Sequence, residues 1–150
     1  MTEVLFYHLT TSPLEATLPT LLEKSLERGW RVLLQAKEVA RLEHFDQFLW
    51  SYTRESFLPH GQAGQGQDAV QPILLTTDDE STNDANLLML VDGAERAVSG
   101  FKAFERVCLF FDGNDGDALS KARENWKSVK AEGLDAKYWA QENGRWVQKQ

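Results

Sequence analysis

Runs of apolar residues alternate along the first third of the chain with stretches whose apolar positions recur every three or four residues. The apolar runs within residues 3–9 and 31–35 predict two strands, the first of them in a sheet that is covered on both faces. The helical period predicts one helix over residues 12–29 and another over residues 37–50. Pro19 lies inside the first helical pattern, where a kink or an irregular first turn is expected. The apolar positions of the two helices are Leu14, Leu18, Leu21, Leu22 and Leu26, then Val39, Leu42, Phe45, Phe48 and Leu49.

The rest of the chain continues this alternation of strands and helices. Three more strands, a third helix and the two arms of a terminal hairpin are predicted over residues 72–76, 87–91, 105–111, 117–132, 137–140 and 144–147. Residues 53–71 are rich in glycine and are expected to form an exposed loop. Strands that alternate with helices are typical of a mainly parallel sheet. We therefore expect one α/β domain over residues 1–150, with three layers and helices on both faces of a central sheet.

The composition disfavours several classes of partner. The 150 residues carry a formal net charge of −7, whereas direct binding to DNA calls for a basic surface. The N-terminal segment lacks the pattern of a signal peptide, and no apolar run approaches the ~20 residues that span a bilayer. We therefore expect a soluble, cytoplasmic protein with no membrane partner and no direct DNA binding. The single cysteine, Cys108, lies in an apolar run and is expected to be buried and unreactive.

The motifs that hold cofactors or metals are incomplete. The turn after the first strand, at residues 10–13, has no glycine to admit a pyrophosphate, and the glycine-rich residues 60–66 include no lysine. Residues 112–117 resemble the start of a calcium loop, but Arg123 stands where that loop needs a bidentate glutamate. This segment is instead expected to be a turn that leads into a helix. The three histidines have no metal-ligand spacing, so neither a cofactor nor a metal is expected.

One loop contains residue types that hydrolases use. Glu55, Ser56 and His60 lie within six residues of one another. The Gly-x-Ser-x-Gly motif is missing, and residues so close in one loop rarely place a base against a nucleophile. No catalytic residue is therefore assigned. A small hydrolase or transferase that uses the loop at residues 55–60 stays open as the alternative to a binding protein.

Large apolar side chains cluster where the second helix ends. Trp50, Tyr52, Phe57 and Leu58 stand at the helix end and at the start of the polar loop, where complete burial of all four is difficult. They either cap the core or form an exposed apolar patch that binds a partner protein.

The third helix combines an apolar face with a basic edge. At about 100° per residue, the apolar side chains share one arc, the basic ones occupy the adjoining arc, and Lys121 lies on the opposite side. The sheet-facing residues are Ala118, Leu119, Ala122, Trp126 and Val129, and the basic ones are Arg123, Lys127 and Lys130. This pattern is that of an ordinary amphipathic helix with a solvated edge, or that of a pocket for an acidic peptide with an aromatic or apolar terminal residue.

Short segments along nearly the whole chain are together specific for one family by their order and spacing. They are Phe-Tyr-His-Leu at 6–9, Arg-Gly-Trp-Arg-Val-Leu at 28–33, Leu-Trp at 49–50, Ser-Phe-Leu-Pro-His-Gly at 56–61, Pro-Ile-Leu-Leu at 72–75, Ala-Arg-Glu-Asn-Trp-Lys at 122–127, Tyr-Trp at 138–139 and Gly-Arg-Trp at 144–146. With these segments the chain resembles the chi subunit of the bacterial DNA polymerase III holoenzyme. The resemblance implies a Rossmann-like α/β fold that has no nucleotide site.

The resemblance also implies the role of a replication adaptor that is not itself an enzyme. Chi subunits link the clamp loader, through a small subunit called psi, to the acidic C-terminal tail of single-stranded DNA-binding protein. By this resemblance the tail-binding residues are Arg123, Trp126 and Lys127, with Lys130 on the same edge of the helix. The position that is usually basic one turn before Arg123 is Leu119 here.

A second surface is implied for the partner that docks the chain to the clamp loader. It lies at Trp50, Phe57 and Leu58, and its partner is psi or a substitute such as a helicase.

Overall fold

The computed structural model describes residues 2–10, 13–51, 59–78, 83–143 and 145–150. Within these residues it has eight strands, three α-helices and two short 3-10 helices. The strands are β1 (Glu3–Leu9), β2 (Val32–Gln35), β3 (Gly61–Gln62), β4 (Ile73–Thr76), β5 (Leu87–Leu90), β6 (Arg106–Asp112), β7 (Asp135–Glu142) and β8 (Arg145–Gln148). The α-helices are α1 (Leu14–Glu27), α2 (Val39–Ser51) and α3 (Gly116–Ala131), and the 3-10 helices are Asp68–Val70 and Val98–Ala103.

The eight strands form one sheet in the order β3-β4-β2-β5-β6-β1-β7-β8. Every neighbouring pair is parallel except β7 and β8, which form an antiparallel hairpin. Both the mainly parallel sheet and the terminal hairpin are thereby confirmed. In this register Phe6 of β1 lies between Leu109 of β6 and Tyr138 of β7, so residues more than a hundred positions apart become neighbours.

Helices cover both faces of the sheet, as the alternation of strands and helices predicted. On one face, α1 and α2 pack over Leu5 and other alternate strand residues. On the other face, α3 and the 3-10 helix Val98–Ala103 pack over Val4 and Phe6. Because successive side chains of a strand point to opposite faces, a strand covered on both sides is apolar almost throughout. The fold is therefore a Rossmann-like α/β sandwich.

Three details differ from the sequence prediction. Val39 was expected in the apolar stripe of α2, but it is 59% exposed because the helix only begins there and its first turn extends past the core. Helix α1 begins at Leu14, with Pro13 as the residue before it. Strand β3, Gly61–Gln62, lies in the segment expected to be an irregular loop, since a strand of two residues is too short to show a period. As the helical pattern predicted, Pro19 lies inside this first helix.

The buried cysteine and the ends of the helices agree with the sequence. Cys108 is 2% exposed, and burial raises the pKa of its thiol to about 12, so the thiolate that would react is not formed near neutral pH. Gly29 and Gly133 follow α1 and α3 with φ angles of +80° and +76°. Most other residues are strained in this left-handed region, which is why glycine ends both helices.

A capped turn fixes the start of α3. The side chain of Asp115 accepts hydrogen bonds from the backbone N–H groups of Asp117 and Ala118, at 3.0 and 3.4 Å. These N–H groups have no partner inside the helix, so the aspartate completes the first turn. The prediction of a turn leading into a helix is confirmed. The capped turn thus sets where α3 begins, and the basic edge lies further along the same helix.

Candidate functional site

Helix α3 presents a basic edge beside a partly buried tryptophan. Ala122 and Val129 are buried against the sheet, and Trp126 is half-buried at the border of that face. Ala118 and Leu119 are also half-buried. The basic residues of the adjoining arc are exposed, and they are Arg123, Lys127 and Lys130. The arrangement that the helical period predicted is therefore confirmed.

Trp126 is supported from below by two aromatic rings of the sheet. Its ring lies 5.3 Å from that of Phe6 and 6.0 Å from that of Tyr138, with interplanar angles of 62° and 74°. Edge-to-face contacts at these distances are the favoured geometry of aromatic pairs. Phe6 is fully buried, whereas Trp126 and Tyr138 are half-buried. The two outer rings therefore form an aromatic surface with a rigid base.

A hydrogen bond holds the outer end of this surface in place. The Nδ1 atom of His8 and the hydroxyl of Tyr138 are 2.8 Å apart. Burial lowers the pKa of His8 by more than the Asp112 charge raises it. The imidazole is therefore neutral at pH 7. Burial raises the pKa of Tyr138, and the positive charge of Arg123 acts in the opposite direction. The aromatic surface is thus uncharged, and Arg123 lies close enough to act on it.

The three basic side chains of the edge are free to bind an external anion. Among the described residues, none of Arg123, Lys127 and Lys130 forms an ion pair. The Nζ atom of Lys130 lies 5.6 Å from the centre of the Trp126 ring, a cation–π distance. Lys121, by contrast, pairs with Glu95. Three basic side chains that have no ion-pair partner in the described part of the chain are therefore grouped on one edge of α3.

A second exposed aromatic lies at the end of α2. Trp50 is 55% exposed, and its ring lies 5.1 Å from that of His60. The Nε2 atom of His60 lies 3.1 Å from both the carbonyl oxygen and Oδ1 of Asp46. Phe57 and Leu58, the other residues predicted for this surface, lie outside the described residues. The sequence left open whether these side chains cap the core or form an exposed patch. Trp50 is on the surface, as an exposed patch requires.

The loop that suggested a hydrolase does not offer its histidine to a substrate. The side chain of His60 is fully buried and is held against α2 by Asp46. A general base must lie within hydrogen-bonding reach of the substrate, which a fully buried imidazole with this partner does not. Glu55 and Ser56 lie outside the described residues. No observation favours the hydrolase or transferase alternative.

A cavity of about 800 Å³ opens at the carboxyl ends of β1, β5 and β6, where proteins of this architecture bind nucleotides. Six carboxylates and three basic side chains line it. Among them, Arg41 is held by Glu15 at 3.1 Å and by Asp92 at 2.7 Å. An excess of carboxylates repels the phosphates of a nucleotide. The positive charges of Arg41 and Lys121 are moreover neutralised by ion pairs within the protein. The lining of this cavity therefore does not favour a nucleotide.

The comparison with known protein families matches the model described as "DNA polymerase III chi subunit, HolC" to residues 1–137. The chain belongs to the DNA polymerase III chi subunit family. It is 26% identical over 117 residues to the probable DNA polymerase III subunit chi of Rickettsia prowazekii. The aligned residues make up 75% of this chain and 71% of that protein. It is 33% identical over 92 residues to DNA polymerase III subunit chi of Pseudomonas aeruginosa. Here the aligned residues make up 59% of this chain and 63% of that protein.

Family membership assigns the chain to DNA replication as an accessory subunit of the DNA polymerase III holoenzyme, not an enzyme by itself. The residues predicted for both candidate surfaces lie inside the matched region, whereas Tyr138 lies one residue beyond it. Among the described ranges, no helix is long and apolar enough to cross a membrane. In the same ranges, no group of three His, Cys, Asp or Glu side chains could hold a metal ion.

The part of the site that comes from the sheet was not predicted from the sequence. Phe6, His8 and Tyr138 were interpreted as strand or tail residues, yet they support Trp126. A signal for Tyr138 was present. Ala136 and Tyr138 alternate on the face of β7 that packs in the same cluster as α3, and a period of two along residues 135–142 would have placed the tyrosine there.

Proposed function

We propose that the chain is a non-catalytic replication adaptor that links the DNA polymerase III clamp loader to the acidic C-terminal tail of single-stranded DNA-binding protein. The observation that carries the proposal is the edge of α3, where Arg123, Lys127 and Lys130 have no ion-pair partner among the described residues and adjoin the half-buried Trp126. An acidic peptide with an apolar end has the complementary chemistry.

The spacing of the basic side chains fits an extended peptide. Arg123 and Lys127 are separated by one turn, a rise of about 6 Å along the helix axis. Alternate side chains of an extended peptide are separated by a similar distance, about 6.6 Å. Two carboxylates on one side of the tail can therefore reach both cations. Trp126 and Tyr138 then offer an uncharged aromatic wall to the apolar terminal residue.

The local charge, and not the charge of the whole protein, selects this ligand. The net charge of −7 repels an acidic peptide at long range. At contact distance the three cations of α3 dominate. Because their side chains are exposed, we expect the affinity for the tail to fall as the salt concentration rises. Contact with DNA would pass through the single-stranded DNA-binding protein.

The exposed Trp50 is the anchor of the second surface in this proposal. Together with Phe57 and Leu58 it would dock psi, or a substitute protein such as a helicase. Exposed tryptophans are frequent anchors of protein interfaces because one ring removes a large apolar area from water. Helix α2 packs on the face of the sheet opposite to α3, so the chain could hold two partners at once. A cytoplasmic location stays a prediction.

Replacement of Arg123 by alanine tests the tail site. A charge-assisted contact contributes about 1.5–3 kcal/mol, so Arg123→Ala is expected to weaken binding of the tail peptide about tenfold or more. Calorimetric titration of the full chain with the peptide measures the loss. Lys121→Ala is the matched control, since Lys121 lies on the same helix but pairs with Glu95. Equal losses for the two variants would indicate a diffuse charge effect and no defined site.

Replacement of Trp50 by alanine tests the docking surface. We expect Trp50→Ala to weaken the association with psi or its substitute by ~2 kcal/mol or more, and Phe57→Ala to have a similar effect. The melting temperature should change little for Trp50→Ala, because that side chain is 55% exposed. Val39→Ala is the control on the same helix, since Val39 is 59% exposed. A loss of association with the control variant as well would argue against a docking site at Trp50.

A further inference from the structure

A second pocket, of about 380 Å³, opens between the end of α1 and the sheet, on the face opposite to α3. Its floor is apolar and includes Leu87 and Met89 of β5. Its rim carries three basic side chains, Lys24, Arg28 and Arg106, and one acidic side chain. Local charge is therefore positive in a protein whose overall charge is strongly negative.

Two of these cations are held in place by one tryptophan. The guanidinium carbons of Arg28 and Arg106 lie 4.5 and 5.2 Å from the centre of the Trp30 ring. Both distances are within the cation–π range, so the ring fixes two like charges close together. Rigid charged groups lose little side-chain entropy when a ligand binds.

The guanidinium of Arg106 has a long ion pair and one N–H group without a hydrogen-bond partner among the described residues. Its Nη2 atom is 3.9 Å from Glu3, and Lys137 shares the same carboxylate at 3.6 Å. Its Nε atom is buried and has no hydrogen-bond partner among the described residues. A buried donor without a partner is destabilising. A ligand anion in the pocket would add negative charge next to this guanidinium.

The remaining polar groups of the pocket are neutral. Burial raises the pKa of Tyr7, and it also raises that of Cys108 to about 12, so neither carries a negative charge near pH 7. The backbone carbonyls of Lys24, Ser25 and Leu26 accept hydrogen bonds from the N–H groups of residues 28–30. These carbonyls are the negative end of α1, and their bonds reduce its repulsion of an anion.

We propose that this pocket binds the C-terminal residue of a partner peptide, with its carboxylate on the basic rim and its apolar side chain on the floor. The pocket is on the opposite face of the sheet from Trp126, so the proposal does not rest on the tail site of α3. The volume suits one side chain, and the combination of cations with an apolar floor selects a carboxylate on an apolar body.

Nuclear magnetic resonance titration of the full chain tests this site. The probe is the tripeptide Ala-Ala-Phe with a free carboxylate, and the matched probe is the same peptide as its amide. We expect saturable shifts of the Trp30 indole N–H and of the Gly29 backbone N–H with the free acid. The Kd of the amide should be about tenfold higher or more, because a charge-assisted contact is lost.

Variants locate the binding. Lys24→Gln combined with Arg28→Gln should raise the Kd of the free acid about tenfold or more, and both side chains are exposed, so the fold is retained. Lys102→Gln, an exposed lysine on the opposite face, should leave the Kd unchanged. Equal shifts with acid and amide, an unchanged Kd in the double variant, or shifts confined to α3 would each overturn the proposal. The last result would leave the tail site standing.

Discussion

The variant Phe6→Ala is expected to lose about 3–5 kcal/mol of its free energy of unfolding. Phe6 is fully buried in β1, an interior strand of the sheet, where it contacts the rings of Trp126 and Tyr138. Removing the ring leaves a cavity under both half-buried aromatics. Urea denaturation of the native and variant chains measures the loss. Because the aromatic wall loses its base, the variant should also bind the acidic tail more weakly at temperatures where it is still folded.

A smaller change at the same position is the control for Phe6→Ala. Phe6→Leu keeps most of the apolar volume, so its loss of stability should be much smaller than that of the alanine variant. A loss of less than about 1 kcal/mol for Phe6→Ala would contradict the packing described for the α3 face.

The double variant Arg123→Glu with Lys127→Glu is expected to weaken binding of the acidic tail about a hundredfold or more. Two charge-assisted contacts of at least about 1.5 kcal/mol each are lost, and repulsion between carboxylates is added. Both side chains are exposed and have no ion-pair partner in the described parts of the chain. Introducing like charges one turn apart costs the helix only about 0.2–0.5 kcal/mol. Calorimetry gives the affinity, and a thermal melt verifies the fold.

The control for this charge reversal changes the net charge of the protein by the same amount at other positions. Lys121→Glu with Lys102→Glu alters two exposed lysines that pair with Glu95 and Glu132. We expect its effect on tail binding to be several-fold at most, from long-range repulsion. If the control loses as much affinity as the double variant on α3, the tail responds to total charge and the edge of α3 is not its site.

Local patterns predicted most of the fold, because each long element buries a regular set of side chains. The strand over residues 3–9 followed from its apolar run, and the buried face and basic edge of α3 followed from the helical period of 3.6 residues. Strand β3 could not be predicted, since its two residues join the sheet only through pairing with β4. Val39 has the apolar character of a core residue, but its position in the first turn of α2 leaves it exposed.

The candidate site was predictable only where it lies on one element. The basic edge of α3 is a local pattern, so its cations and Trp126 were found from the sequence. Tyr138 and Phe6 join them through the parallel register of β1 and β7, which pairs residues 132 positions apart. No local pattern contains such a pairing. The cations on Trp30 come together in the same way, from the end of α1 and the start of β6.

The central claim is that the chain binds the acidic C-terminal tail of single-stranded DNA-binding protein. The most direct test is a calorimetric titration of the full chain with the intact single-stranded DNA-binding protein and with the same protein lacking its C-terminal tail. We predict saturable binding to the intact protein and none to the protein without its tail. Equal binding of the two proteins would contradict the claim.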